Sequence, residues 1–216
     1  LAEFVPFIAT PTHDSRVHSV FTQGLLTAWQ TFGGCRWSTA NGTSLARQRD
    51  QLVAEFAKSD CTHLLFVDSD IAWDAGAAIA LLETGKEFVG GTYCRKGPSK
   101  PLTANLLDRR EGDLIEVSHI GTGFLLVSRA AIVAMLAEYA DDVYESGGRK
   151  FVSLFSQNIH EGTEDVSFCR RWRDMGESVW MHTGVVLPHY DGGTAYVADT
   201  SSLRASPFSY TPIAAE

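Results

Sequence analysis

Thr62-His63-Leu64-Leu65-Phe66-Val67-Asp68-Ser69-Asp70 joins a largely apolar run directly to two carboxylates one residue apart. A short continuous apolar run suits a strand buried on both faces of a parallel sheet. Ligands of open α/β sheets sit beyond the carboxyl ends of such strands, and that is where the acidic pair falls. Through one turn both carboxylates can reach a single hard cation, which prefers oxygen ligands. Asp and Ser are ordinary turn residues, so the weight of the motif lies in its position, between Leu64 to Val67 and the apolar Ile71 and Trp73. An EF-hand is excluded, because Trp73 stands where that loop needs glycine.

Upstream, Phe4 to Thr10 reads as a strand ending at Pro11, and Val17 to Trp29 as a helix with apolar residues at helical intervals. Cys35 to Ser38 is a candidate second strand. Asn41-Gly42-Thr43-Ser44 is turn chemistry ending in an N-cap, and Leu45, Leu52, Val53 and Phe56 mark the helix face that follows, to about Ser59. Downstream, Asp74 caps a short helix that Gly85 stops, and Glu87 to Tyr93 is a further buried strand. Lys96 to Glu116 is a polar excursion containing a hairpin, and Ile120 to Val127 is a strand. Ser128 caps a helix to about Tyr139, and Thr163 caps another. Ser178 to Met181 and Val185 to Leu187 read as two closing strands. This alternation predicts one α/β domain over residues 1–216, Rossmann-like, with a mostly parallel central sheet flanked by helices.

The 216 residues carry 26 Asp and Glu against 18 Lys and Arg, a formal net charge of −8. Such a balance supplies no general basic field for nucleic acid or anionic lipid. No apolar run approaches the ~20 residues of a membrane helix. No signal peptide is visible, so a cytoplasmic location is the expectation, and a chain starting at Leu1 is compatible with one domain of a longer protein. Cys35, Cys61, Cys94 and Cys169 lack zinc or redox spacing and are expected as free thiols.

Other candidate residues are weaker one by one. Glu164-Asp165 suits the first turn of a helix, where the dipole favours acids. His160-Glu161 is no zinc-protease motif, since Glu164 stands where the second His belongs. His189 follows Leu187-Pro188 at a strand end. Gly121-Thr122-Gly123-Phe124 lacks the last glycine of a dinucleotide fingerprint, and close backbone approach accounts for its glycines. Tyr93-Cys94-Arg95-Lys96 brings a ring and two cations to the same sheet edge as the acidic pair. Neither a G-x-S-x-G elbow nor a P-loop is present.

Taken in order, Ala9-Thr10-Pro11-Thr12, Leu45-Ala46-Arg47-Gln48-Arg49, Leu65 to Ile71, Gly90-Gly91-Thr92-Tyr93, Gly121 to Leu126, Glu164 to Cys169 and Leu187-Pro188-His189 resemble a GT-A-fold glycosyltransferase. The likeness is to the branch found in viruses, phages and bacteria, including the glycosyltransferase domain of large algal viruses, and spans Phe4 to about His189. It implies transfer of a sugar from a nucleotide-diphosphate sugar, a UDP-sugar first, to an acceptor hydroxyl of a glycan. By the same resemblance Asp68, Asp70 and His189 hold Mn2+ or Mg2+, with Asp70 the direct ligand and Asp68 also addressing the ribose. Thr10, Pro11, Thr12, Arg47, Ser69, Lys96, Gly121, Thr122 and Gly123 contact the donor. Asp165 or Glu164 is the base of an inverting member. Asp50 departs from the pattern, which has Asn after the Arg. Residues 190–216, with Asp191-Gly192-Gly193-Thr194 and several serines, are expected to form a mobile cover over the donor. The rival readings are a nucleotidyltransferase, disfavoured by the missing glycine-rich basic loop after the first strand, and a binding domain without turnover.

Overall fold

The computed structural model describes residues 4–156 and 162–203. In chain order the elements are β1 (Pro6–Thr12), α1 (Ser19–Phe32), β2 (Arg36–Asn41), α2 (Leu45–Ala57), β3 (His63–Val67), α3 (Ala75–Glu83) and β4 (Phe88–Thr92). Then come β5 (Ala104–Glu111), β6 (Leu114–Ile120), β7 (Phe124–Ser128), α4 (Arg129–Glu138), β8 (Val143–Ser146), β9 (Arg149–Val152), α5 (Glu164–Asp174), β10 (Val179–Val186), β11 (His189–Asp191) and β12 (Thr194–Tyr196). Eight strands form one sheet in the order β2-β1-β3-β7-β4-β10-β6-β5. The pairings β1–β2, β1–β3 and β4–β10 are parallel, whereas β7 lies antiparallel between β3 and β4, and β6 antiparallel between β10 and β5. All strands but β6 and β7 therefore point one way, and the expected mostly parallel α/β sheet is observed.

Both faces of the sheet are buried because its central strands are apolar on both. Phe7, Leu64 and Phe66 join the core under α2, α4 and α5, with Leu52, Phe56, Ile132 and Phe168. Their neighbours Ile8, Leu65 and Val67 turn to the other side, against Phe21 of α1 and Ala77 and Leu81 of α3. That two-sided burial is what the uninterrupted run before Asp68 predicts. Local capping follows the sequence in three helices. Ser44, Asp74 and Ser128 each accept a hydrogen bond from a backbone N–H three residues on.

Four expectations are corrected. β1 continues through Pro11 to Thr12, since pairing with β3 ends at Ala9 and the missing N–H interrupts no ladder on that side. Ile120 to Val127 is two strands, β6 and β7, joined by the turn Gly121-Thr122-Gly123. The two closing strands are one, β10, whose register against β4 shifts between His182 and Val186. Thr163 occupies the N-cap of α5 without a side-chain cap hydrogen bond. The hairpin β8–β9 was unanticipated; Gly147 and Gly148 turn it, both with positive φ. All four cysteines are free, and no described helix is long and apolar enough to cross a membrane.

Candidate active site

The turn after β3 is held on several sides by backbone bonds. The Asp68 N–H donates to the Gly123 carbonyl (2.9 Å), His18 N–H to Ser69 (2.8 Å) and Tyr190 N–H to Asp70 (2.9 Å), while Ile71 bridges to His189. The two carboxylates are thereby fixed at the mouth of a cleft of about 290 Å3. Pro11, Thr12, Ser69 and His189, all anticipated, line it beside Asp68 and Asp70, together with Gln48.

Beneath the turn lies Arg49, only 1% exposed. Its Nη2 donates to Asp68 Oδ1 (3.0 Å), and its Nη1 to both Glu164 Oε1 and Asp165 Oδ1 (2.7 Å each). One guanidinium thus ties the turn after β3 to the start of α5. Burial disfavours its charge, but the carboxylates outweigh that and hold it more firmly protonated than usual. Burial also pushes Asp68 up, against the pull of Arg49. Asp165 Oδ1 accepts a second bond from the Thr122 hydroxyl (2.6 Å).

Asp70 faces a different set. Its Oδ2 takes Lys96 Nζ at 2.6 Å and its Oδ1 lies 3.4 Å from His189 Nε2. Burial raises this carboxyl, yet the bonds from His189 and Lys96 prevail and hold it below the usual range. The other nitrogen of His189, Nδ1, is 2.9 Å from the Cys94 carbonyl. A carbonyl can only accept, so Nδ1 carries a proton. Burial disfavours the charged ring, but the bonds to Asp70 and to the Cys94 carbonyl prevail and raise the His189 pKa, and on deprotonation Nε2 is the nitrogen left free. A backbone carbonyl fixing the tautomer in this way is the usual support for a metal-ligating histidine.

The turn Gly121-Thr122-Gly123 is packed under Tyr93, whose hydroxyl accepts from Gly123 N–H (2.8 Å). A Cβ on Gly121 would lie 2.2 Å from that hydroxyl, and one on Gly123 2.7 Å from it and 3.0 Å from Asp68 Oδ2. These glycines allow close approach, and they stand behind the acidic turn and outside the cleft lining.

Thr10 is fully buried and accepts from Trp37 Nε1 (3.1 Å) beneath the cleft. Arg47 sits over the Tyr144 ring, one hollow away from the acidic pair. Asp50 directs Oδ1 at Leu154 N–H (2.9 Å) and Phe155 N–H (3.0 Å), holding the segment that leads toward α5. An Asn oxygen could accept the same two bonds. Of the expected cover, 190–203 contains the hairpin β11–β12, with His18 Nε2 2.9 Å from the Gly192 carbonyl, and 204–216 lies outside the described residues. So do His160 and Glu161.

Sequence reasoning missed Arg49, although a signal was present. Leu45, Arg49, Leu52, Val53 and Phe56 share one helical face, so a charge stood on the apolar stripe while Arg47 pointed away. Among the described residues no three His, Cys, Asp or Glu side chains converge as they would around an ion; Asp68 is turned to Arg49 and Asp70 to Lys96. Among the described residues Arg49 serves Asp68, Glu164 and Asp165, and Lys96 serves Asp70.

No protein-family model and no curated protein sequence matches the chain. Among solved structures, A197 from STIV is similar over 91% of this chain and 95% of its own, with 15% identity and a TM-score of 0.60. The two share a fold. A mannose-1-phosphate geranyltransferase from Thermus thermophilus aligns over 65% of this chain and 62% of its own (13% identity, TM-score 0.45). A glycosyltransferase involved in glycosylation of the major capsid of PBCV-1 aligns over 60% and 63% (10% identity, TM-score 0.36). The A197 likeness agrees with the expected α/β architecture.

Proposed function

We propose that this chain is a metal-dependent glycosyltransferase that moves a sugar from a nucleotide-diphosphate sugar, a UDP-sugar first, to an acceptor hydroxyl. The observation that carries the reading is the acidic turn Asp68-Ser69-Asp70 at the carboxyl end of β3, with His189 Nε2 turned to Asp70 in the same cleft. Asp68, Asp70 and His189 are a chemically suitable donor set for Mn2+ or Mg2+. Bound there, such an ion supplies Lewis-acid stabilisation of the leaving diphosphate. Lys96, now on Asp70, is placed to turn to a phosphate, and Pro11 and Thr12 line the same cleft for the donor.

Asp165 is the better base of the two acidic candidates. Its side chain is 24% exposed against 10% for Glu164, and Arg49 and the Thr122 hydroxyl orient it through one oxygen. Glu164 acts through Arg49 and is a positioning residue. In an inverting transfer Asp165 takes the acceptor proton as attack develops.

The test is a panel of nucleotide sugars incubated with the chain and Mn2+ or Mg2+, with the released nucleotide identified by chromatography. UDP or GDP, dependent on added metal, supports the reading. Release of UMP or CMP assigns the chain to nucleotidyl or phosphosugar transfer, and binding without turnover makes it a binding domain.

A further inference from the structure

The cleft at Asp68 and Asp70 continues past α2. Thr43 and Gln48 line it and also line an adjoining hollow bounded by Arg47, Gln51 and Ser146. Gln51 and Ser146 in turn line a larger space of about 780 Å3 between α2 and the hairpin β8–β9, with Lys58 and Arg149 on it. Together the three form one groove that starts at the acidic turn and runs out along α2.

The charge reverses along this groove. Its inner end holds the carboxylates of Asp68 and Asp70. Its outer part presents Arg47, Lys58 and Arg149, all exposed, and among the described residues none of the three is held in an ion pair. Lys150 also borders it, opposite Glu145 in the hairpin register. One carboxylate, Glu55, also lines it and accepts from the Ser38 hydroxyl, so the outer part carries four cations against one anion. In a chain of net charge −8, this is a local inversion of the field.

The rest of the lining suits a hydroxyl-rich molecule. Phe151, stacked on Tyr144 at 5.7 Å between centroids, gives an apolar surface, and Gln51 and Ser146 offer donors and acceptors. Gln48, buried where the first two hollows meet, donates to the Gly42 carbonyl (2.7 Å), and its Oε1 has no protein partner. A neutral glycan gains little from this net positive charge. We propose that this groove seats the acceptor, and that the acceptor is an acidic glycan whose sugars carry carboxylate, sulfate or phosphate groups. The acceptor role rests on the glycosyltransferase reading, whereas the binding can be measured without it.

The experiment titrates the chain with hexagalacturonate and with uncharged maltohexaose, following backbone amide shifts at low and moderate salt. Hexagalacturonate should shift the amides of α2 and of residues 143–152, and added salt should weaken it. The double variant Lys58→Glu/Arg149→Glu should lose at least tenfold in affinity, and the charge-preserving Lys58→Arg/Arg149→Lys should retain it. Both positions are exposed, and an unchanged thermal unfolding midpoint confirms that the reversal variant folds. Equal binding of maltohexaose, or unaltered hexagalacturonate binding by the reversal variant, overturns the proposal. So does tighter binding of oligouridylate at the same residues, which would make the groove a nucleic-acid site. Metal-dependent hydrolysis of the donor, measured in parallel, should be the same in wild type and reversal variant. Its absence in both refutes the transferase reading, and charge-dependent hexagalacturonate binding then still upholds the groove as an acidic-glycan site.

Discussion

Replacing Asp50 with Asn should change how stability depends on pH, in a direction and size that follow from one buried carboxyl. Asp50 is 3% exposed. Desolvation outweighs the two backbone hydrogen bonds from Phe155 and Leu154 and pushes its pKa up to about 7, against about 3.9 for an unperturbed Asp. The folded chain therefore holds this proton more tightly than the unfolded one. The resulting stability is fully present below about pH 4 and is lost as pH rises toward 7. At about 1.4 kcal/mol per pH unit the whole effect is roughly 4 kcal/mol, of which roughly 2 to 3 kcal/mol falls between pH 5 and 8. Asn keeps the accepting oxygen for Leu154 and Phe155 and cannot ionise, so it lacks this dependence. Urea unfolding of both proteins at pH 5, 6, 7 and 8 measures the difference. The stability of Asp50→Asn relative to wild type should rise across that range by the stated amount. Parallel profiles would refute the reasoning, because they would mean that Asp50 ionises equally in the folded and unfolded states.

Arg49→Met leaves Asp68, Glu164 and Asp165 without their shared cation, and urea unfolding at pH 7 should show a loss of about 3 to 5 kcal/mol. Asp165→Asn should lower transfer about 10²- to 10⁴-fold with donor affinity near wild type, and Glu164→Gln should lower it less; equal rates in all three would remove the base assignment. Asp70→Ala should abolish Mn2+-dependent donor binding in calorimetry, with His189→Ala weakening it less because water can take the vacated position. Gly121→Ala drives a methyl into the Tyr93 hydroxyl and should cost about 1 to 3 kcal/mol; in Gly121→Ala/Tyr93→Phe the two losses should be less than additive, and strict additivity would show that the contact is not the cause.

Local chemistry in the sequence determined most of the elements and the place of the acidic turn. The run Leu64 to Val67 is apolar on both faces, so it had to be an interior strand, and a strand's end is where the chain can turn two carboxylates to solvent. Ser44, Asp74 and Ser128 mark helix starts because a short polar side chain can bond a nearby N–H without help from the rest of the molecule. The tertiary structure alone decided what those groups meet. Whether Ile120 to Val127 is one strand or two depends on Tyr93 packing against its glycines, and β7 enters antiparallel between β3 and β4 by a pairing no local pattern encodes. Arg49 meets Glu164 and Asp165 across more than a hundred residues of chain, an attraction that becomes strong only once the fold brings the three together and burial strips water from Arg49. A charged residue on the apolar stripe of a helix signals that a partner must exist. Which residue that partner is depends on the packing of α5 against the sheet, and so on the whole fold.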